Sequence, residues 1–160
     1  MTDMRRKDKQ MRQEECESLL TSAEVGRLGV ITEEGMPYVV PVNYVFANGD
    51  IFIHSAATGL KLRSILLNPR VCFEIDESAG VVPGPTACSS SYRYRSVIAF
   101  GTAEVVQDPD SRLRALEMLA KKYCPEADRT QPVLETGSKN VAVIRVRLDS
   151  ITGKSSRFQG

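Results

Sequence analysis

Apolar residues recur along this chain in two rhythms. Alternation at every second residue marks strands, and stripes at three- and four-residue spacing mark helices. Cys16, Leu19 and Leu20 form one such stripe and predict a helix over Gln13 to Thr21. Arg27 to Thr32 predicts a first strand, closed by Glu34-Gly35. Tyr38 to Phe46 predicts a second strand and Ile51 to Ser55 a third, and the Asn48-Gly49 pair between them is a hairpin signal. Leu60 to Leu67 predicts a helix with Leu62, Ile65 and Leu66 facing inward, stopped by Asn68-Pro69. Val71 to Asp76 predicts a fourth strand. Ser78 to Ser91, with Pro83, Gly84, Pro85 and a serine run, predicts a loop. Tyr94 to Gln107 predicts a long strand bent at Gly101. Asp108-Pro109-Asp110 caps a helix running to about Tyr123, with Leu113, Leu116, Met118 and Leu119 as its apolar set. A second polar loop spans Pro125 to Gly137, and Val141 to Ile151 alternates cleanly as a last strand. About six antiparallel strands with few helices make a mainly β (α+β) chain. Closing them into a full or partial barrel hides the sheet edges. One domain over residues 1–160 accommodates all of these elements.

The chemistry gathers where the third strand meets the following helix. Ile51-Phe52-Ile53 leads into His54, the single histidine of the chain, then Ser55-Ala56-Ala57-Thr58-Gly59 and Lys61. Backbone N–H groups, a hydroxyl and an ammonium converge on a strand–loop–helix junction, which suits a phosphate. The strand before the hairpin carries Pro41 in mid-pattern, the mark of an edge or a bulge. Asn43 beside it offers both donor and acceptor. Ser96 places a hydroxyl within the apolar run of Tyr94 to Gly101, where it bonds either a ligand or neighbouring backbone. His54 is either a satisfied strand-end residue or a proton donor titrating near working pH. No carboxylate or thiol cluster surrounds it at ligand spacing, so no metal site is expected.

Composition narrows the class of partner. The net charge of +1 gives no electrostatic case for nucleic acid. No apolar run approaches the roughly 20 residues that cross a bilayer, and no signal-like segment follows Met1, so a cytoplasmic protein is expected. Cys16, Cys72, Cys88 and Cys124 are widely spaced and are expected as free thiols.

The ordered segments Gly35-Met36-Pro37-Tyr38-Val39-Val40-Pro41-Val42-Asn43-Tyr44, His54-Ser55-Ala56-Ala57-Thr58-Gly59-Leu60-Lys61, Asn68-Pro69-Arg70-Val71-Cys72-Phe73-Glu74, Tyr94-Arg95-Ser96-Val97 and Ile151-Thr152-Gly153-Lys154 carry a family likeness. Through them the chain resembles the flavin-binding split-barrel superfamily of pyridoxamine 5′-phosphate oxidase-like proteins, and within it the 5-nitroimidazole resistance family. The resemblance implies a six-stranded Greek-key split barrel with flanking helices, and a homodimer holding FMN, or FAD, between subunits. It implies that Ser55, Ala56 and Lys61 hold the phosphate. Val42, Asn43 and Tyr44 would line the isoalloxazine, with Tyr94, Ser96 and Val97 on the next strand. His54 would stand at the reactive side as the catalytic proton donor. The implied activity is reduction of a nitroimidazole or a related small electrophile by hydride from reduced flavin. A non-catalytic flavin-binding or redox-sensing protein, and a haem-binding split barrel, are the alternatives on the same scaffold.

Overall fold

The computed structural model describes residues 4–126 and 141–156. Helix α1 spans Gln13–Ser22, α2 Leu60–Leu67 and α3 Pro109–Tyr123. The strands are β1 (Gly26–Ile31), β2 (Pro37–Val42), β3 (Tyr44–Ala47), β4 (Asp50–Ala56), β5 (Arg70–Val82), β6 (Ser91–Val105) and β7 (Val141–Ser155). Local chemistry explains the boundaries. Glu15 accepts from the Arg12 N–H at 2.7 Å and opens α1. Asp108 accepts from the Ser111 N–H at 2.8 Å, and Pro109 supplies the first turn of α3. Asn48 (φ 55°) and Gly49 (φ 82°) both adopt positive φ and form the tight turn between β3 and β4.

All strands belong to one antiparallel sheet in the order β2-β1-β5-β6-β7-β4-β3. β2 and β3 occupy opposite edges, yet only Asn43 separates them in the chain. Two residues of backbone span no more than about 7 Å, so the sheet has to curl until its edges meet. The predicted strand Tyr38 to Phe46 is this pair. It bonds β1 through its first half and β4 through its second. The six expected strands therefore form seven ladder segments. Pro41, which lacks an N–H, lies on the edge strand β2, where the missing donor costs no ladder bond.

Leu28, Ile51, Ile53, Phe73, Ile75, Ile144 and Val146 fill the barrel, and α1 adds Cys16, Leu19 and Leu20. Burying each large side chain contributes about 1.5–3 kcal/mol. Tyr44 packs edge-on against Phe73, with ring centroids 4.8 Å apart, and its hydroxyl donates to the Leu20 carbonyl at 2.7 Å. Desolvation pushes the Tyr44 phenol above its ordinary pKa. Gly153 faces α1, where a Cβ would collide with the Cys16 Sγ.

Some expectations change. The segment Ser78 to Ser91 is mostly strand: β5 and β6 pair out to Val82 and Ser91, leaving residues 83–90 as the loop. The prolines and serines mark the turn alone, while Gly80 (φ 88°) absorbs a bulge between Ser78 and Gly80. Leu66 points outward because α2 buries the stripe Leu62, Ser64 and Ile65. α3 buries Ala115 and Leu119, with Leu113, Leu116 and Met118 only half-buried. β6 carries the expected irregularity at Gly101, and β7 runs on to Ser155. The four cysteines are free. Beyond Glu126 the loop Pro125 to Gly137 lies outside the described residues. Among the described residues, no helix is long and apolar enough to cross a membrane.

Tyr123 fastens α3 to the strand crossing. Its hydroxyl accepts from the Tyr44 N–H at 2.9 Å and lies within donating distance of the Tyr44 and Glu24 carbonyls. Tyr123→Phe strands the Tyr44 amide. We expect a loss of about 1–3 kcal/mol in chemical denaturation at an unchanged m-value.

Candidate functional site

β4 ends at Ala56, and Ala57-Thr58-Gly59 turns the chain into α2. Gly59 adopts φ 120° and ψ 170°, a conformation open to glycine, and no side chain caps the helix. The first N–H groups of α2 are left to the solvent side of the junction, an arrangement that attracts anions. Lys61 sits in this first turn, half-buried, and its burial lowers the pKa of its ammonium. Ser55 is 8% exposed at the end of β4. One turn beyond Lys61, Ser64 is buried and its hydroxyl meets no hydrogen-bond partner. Such an orphan is uncommon in a finished interior. A dianionic group at this junction would restore favourable partners to Lys61 and to the free amides.

The neighbouring backbone adds an amide. Tyr44 pairs with Ile53, so Asn43 lies one step further on, toward His54. Both Asn43 and His54 are exposed, as is Ala56. Val42 and Tyr44 are different: their side chains are buried in the barrel, so to a surface ligand they offer backbone. Val97 is likewise a core residue. These three follow from alternation, since each flanks a residue of opposite facing.

Tyr94 and Ser96 occupy the outer face of β6, half-buried. Ser96 pairs with Asp76 on one side and Lys154 on the other, and the Lys154 ammonium stands 5.8 Å from the centre of the Tyr94 ring. Sequence reasoning singled out neither Lys154 nor Ser64 as site residues. Lys154 becomes visible only once the β6–β7 register places it beside Ser96, and Ser64 only once the buried stripe of α2 is known.

The predicted residues thus divide into two clusters. Asn43, His54, Ser55, Ala56 and Lys61 lie where β4 meets the start of β7, with His54 opposite Val143. The next residue, Ile144, pairs with Val105 at the far end of β6. Ser96 is nine residues back from Val105, about 30 Å of strand. Tyr94, Ser96 and Lys154 form the second cluster there. Among the described residues no group of three His, Cys, Asp or Glu is arranged for a metal ion.

The sequence model described as pyridoxamine 5′-phosphate oxidase matches residues 12–155. No curated protein matches the chain. Among solved structures, one from Bacteroides thetaiotaomicron described as a "putative 5-nitroimidazole antibiotic resistance protein" is 28% identical, with a TM-score of 0.76 over 91% of this chain and 86% of that one. A flavocytochrome of Azotobacter vinelandii shares the fold at 18% identity, with a TM-score of 0.84 over 97% of this chain and 72% of that one. A FAD and heme binding protein of Mycobacterium smegmatis shares it at 22% identity, with a TM-score of 0.78 over 95% and 74%.

The junction predicts its own weak point. For a phosphate seated at this junction, Lys61→Ala would remove a charge-assisted contact worth about 1.5–3 kcal/mol. FMN titration followed by fluorescence should give roughly ten- to a hundredfold weaker binding with an unchanged circular dichroism spectrum. Wild-type affinity should also fall as pH rises toward the depressed Lys61 pKa, because deprotonation removes that charge. The alanine variant should lose this pH dependence.

Proposed function

This chain belongs to the pyridoxamine 5′-phosphate oxidase family, and from that premise we propose that it is a homodimeric, FMN-dependent oxidoreductase reducing nitroimidazoles or related small electrophiles. One observation carries the reading. The phosphate-suited junction and the Tyr94–Ser96–Lys154 row lie at opposite ends of the β6–β7 ladder. A flavin nucleotide spanning both kinds of surface would take them from two copies of the chain. The matched family and the Bacteroides relative favour a flavin and a nitro substrate over other phosphate-bearing ligands.

The junction fits such a group, since it combines an uncapped helix start, a half-buried ammonium and a buried serine. Lys61, Ser55 and the α2 amides would hold the phosphate, with Ala56 allowing close backbone approach. The Asn43 side-chain amide and the backbone of Val42 and Tyr44 would meet the polar edge of the ring. From the second copy, Tyr94 and Ser96 would cover the ring, with the backbone of Val97 beside them. Reduced flavin supplies a hydride to a substrate lying against its ring. His54 is exposed on the same rim and would hold the proton delivered to the substrate.

The purified protein is expected to show flavin absorbance, to release FMN on denaturation and to sediment as two chains. Once reduced, it is expected to be reoxidised by a 5-nitroimidazole. His54→Gln should keep FMN affinity within about threefold while slowing reoxidation at least tenfold. A haem band, or a colourless protein that takes up no added FMN, would overturn the cofactor. Flavin binding without reoxidation by nitro compounds would leave a carrier or sensor and overturn the activity.

A further inference from the structure

We propose that Arg112 is a positioning residue for the phosphate-suited junction, acting on it through the first residue of β7; the inference deepens the flavin reading above and rests on it. The β4–β7 ladder runs from Asp50↔Arg147 to Ala56↔Val141. Its last rung joins the residue that leads into the junction to the residue that opens β7. A terminal rung is where a ladder frays. Whatever holds this rung sets where Ala57-Thr58-Gly59 begins its turn into α2.

The other side of β7 has lost its strand at this point. β6 pairs with β7 as far as Val105↔Ile144, and the Val106 N–H then donates to the Val143 carbonyl at 2.9 Å. The Val143 carbonyl therefore points away from β4. Carbonyls two residues apart in a strand point the same way, so the Val141 carbonyl also points away from β4. Among the described residues no strand continues on that side, because β6 ends at Val105. A side chain takes its place: the Arg112 guanidinium donates to the Val141 carbonyl at 2.6 Å, in a half-buried setting.

The base of that side chain is itself fixed. Asp108 and Pro109 set the start of α3, and the Arg112 N–H donates to the Asp108 carbonyl at 3.0 Å. Arg112, Ala115, Leu119 and Lys122 recur at helical spacing. Ala115 and Leu119 are buried, and Lys122 donates to the Ala23 carbonyl at 2.7 Å. This helix packs against β3, β4 and β7. Ile53 and Ile144 belong to the core, so their neighbours His54 and Val143 face the outside of the barrel, where α3 lies. Val143 is fully buried there, while His54 stays exposed. The helix therefore runs along the rim of the proposed site, with Arg112 at the end that holds the last β4–β7 rung.

Hydrogen–deuterium exchange and flavin titration on the full chain test this, using the wild type, Arg112→Ala and Arg112→Lys. Alanine and lysine are good helix formers, so both variants are expected to fold, as circular dichroism will show. Arg112→Ala should speed amide exchange at residues 54–62 and 141–143 by about tenfold while β5 and β6 exchange as in the wild type. It should bind FMN about tenfold more weakly yet keep riboflavin, which lacks the phosphate, within about threefold, because only the phosphate depends on a preorganised junction. Arg112→Lys keeps a donor for the Val141 carbonyl and should return both readouts to within about threefold of the wild type. Unchanged exchange at the junction would overturn the proposal. So would faster exchange throughout the barrel, or equal losses for FMN and riboflavin, since either marks a general support of the fold. Failure of the lysine variant to restore either readout would overturn the role given to the Val141 bond. A wild type that binds FMN no more tightly than riboflavin, or binds neither, would overturn the phosphate reading itself, and the exchange data would still decide what Arg112 holds.

Discussion

The barrel depends on one strand that changes partners. Between Pro37 and Ala47 the chain bonds first to β1 and then to β4, pivoting at Asn43. Because the two halves lie at opposite edges of the ladder, continuity of the backbone forces the sheet to close. The two edges meet at Asn43, while β2 and β3 each keep one side free of a ladder partner. The pivot is held from outside by the Tyr123 hydroxyl, which meets both the N–H and the carbonyl of Tyr44. It is held from inside by the Tyr44 ring, lodged against Phe73, with its own hydroxyl on the Leu20 carbonyl. Lys122 adds its ammonium 4.2 Å from the centre of that ring while donating to the Ala23 carbonyl. Helices α1 and α3 are thereby tied to a single crossing.

That crossing explains what was legible in the sequence. Alternation and turn chemistry are local, so α2 matches its expected limits, and the Asn48-Gly49 turn appears where its residues demand positive φ. A strand that swaps neighbours shows no break in alternation, so Tyr38 to Phe46 reads as one element although it serves two ladders. The hairpin of β5 and β6 was obscured for the opposite reason. Its serines, prolines and glycines resemble loop composition, while the pairing that makes them strand comes from the partner strand across the ribbon. Leu66 shows a third limit. Its place on an apolar helix says it is hydrophobic, and only the packing partner decides which side is inside.

The chemistry of the candidate residues was legible in the sequence and their arrangement was not. Asn43, His54, Ser55, Ala56 and Lys61 are near one another in sequence or joined by a short hairpin, and the register of β3 on β4 gathers them. Tyr94 and Ser96 carry the same family likeness but lie at the far end of the ladder. Sequence likeness groups residues as candidates without saying whether one chain brings them together. Val42, Tyr44 and Val97 add a further distinction, since their side chains build the wall and only their backbone can face a ligand.

On the reading proposed above, a site divided between two copies would couple binding to assembly. If a ligand is held by Lys61 of one copy and Tyr94 of the other, it binds the pair and not the separate chains. Its binding free energy then stabilises the pair by mass action, and protein concentration enters the apparent affinity. The coupling is reciprocal: the factor by which ligand favours the pair is the factor by which pairing favours ligand. Half-burial of Lys61 fits this economy of parts. Burial lowers the pKa of the ammonium, and an anion placed beside it would offset that desolvation. The uncapped start of α2 and the unpartnered hydroxyl of Ser64 sit on the same short helix. An uncapped helix start and a half-buried ammonium at one junction, in a barrel whose ladders are otherwise well paired, are the kind of local departure from consistency expected where a fold serves a function.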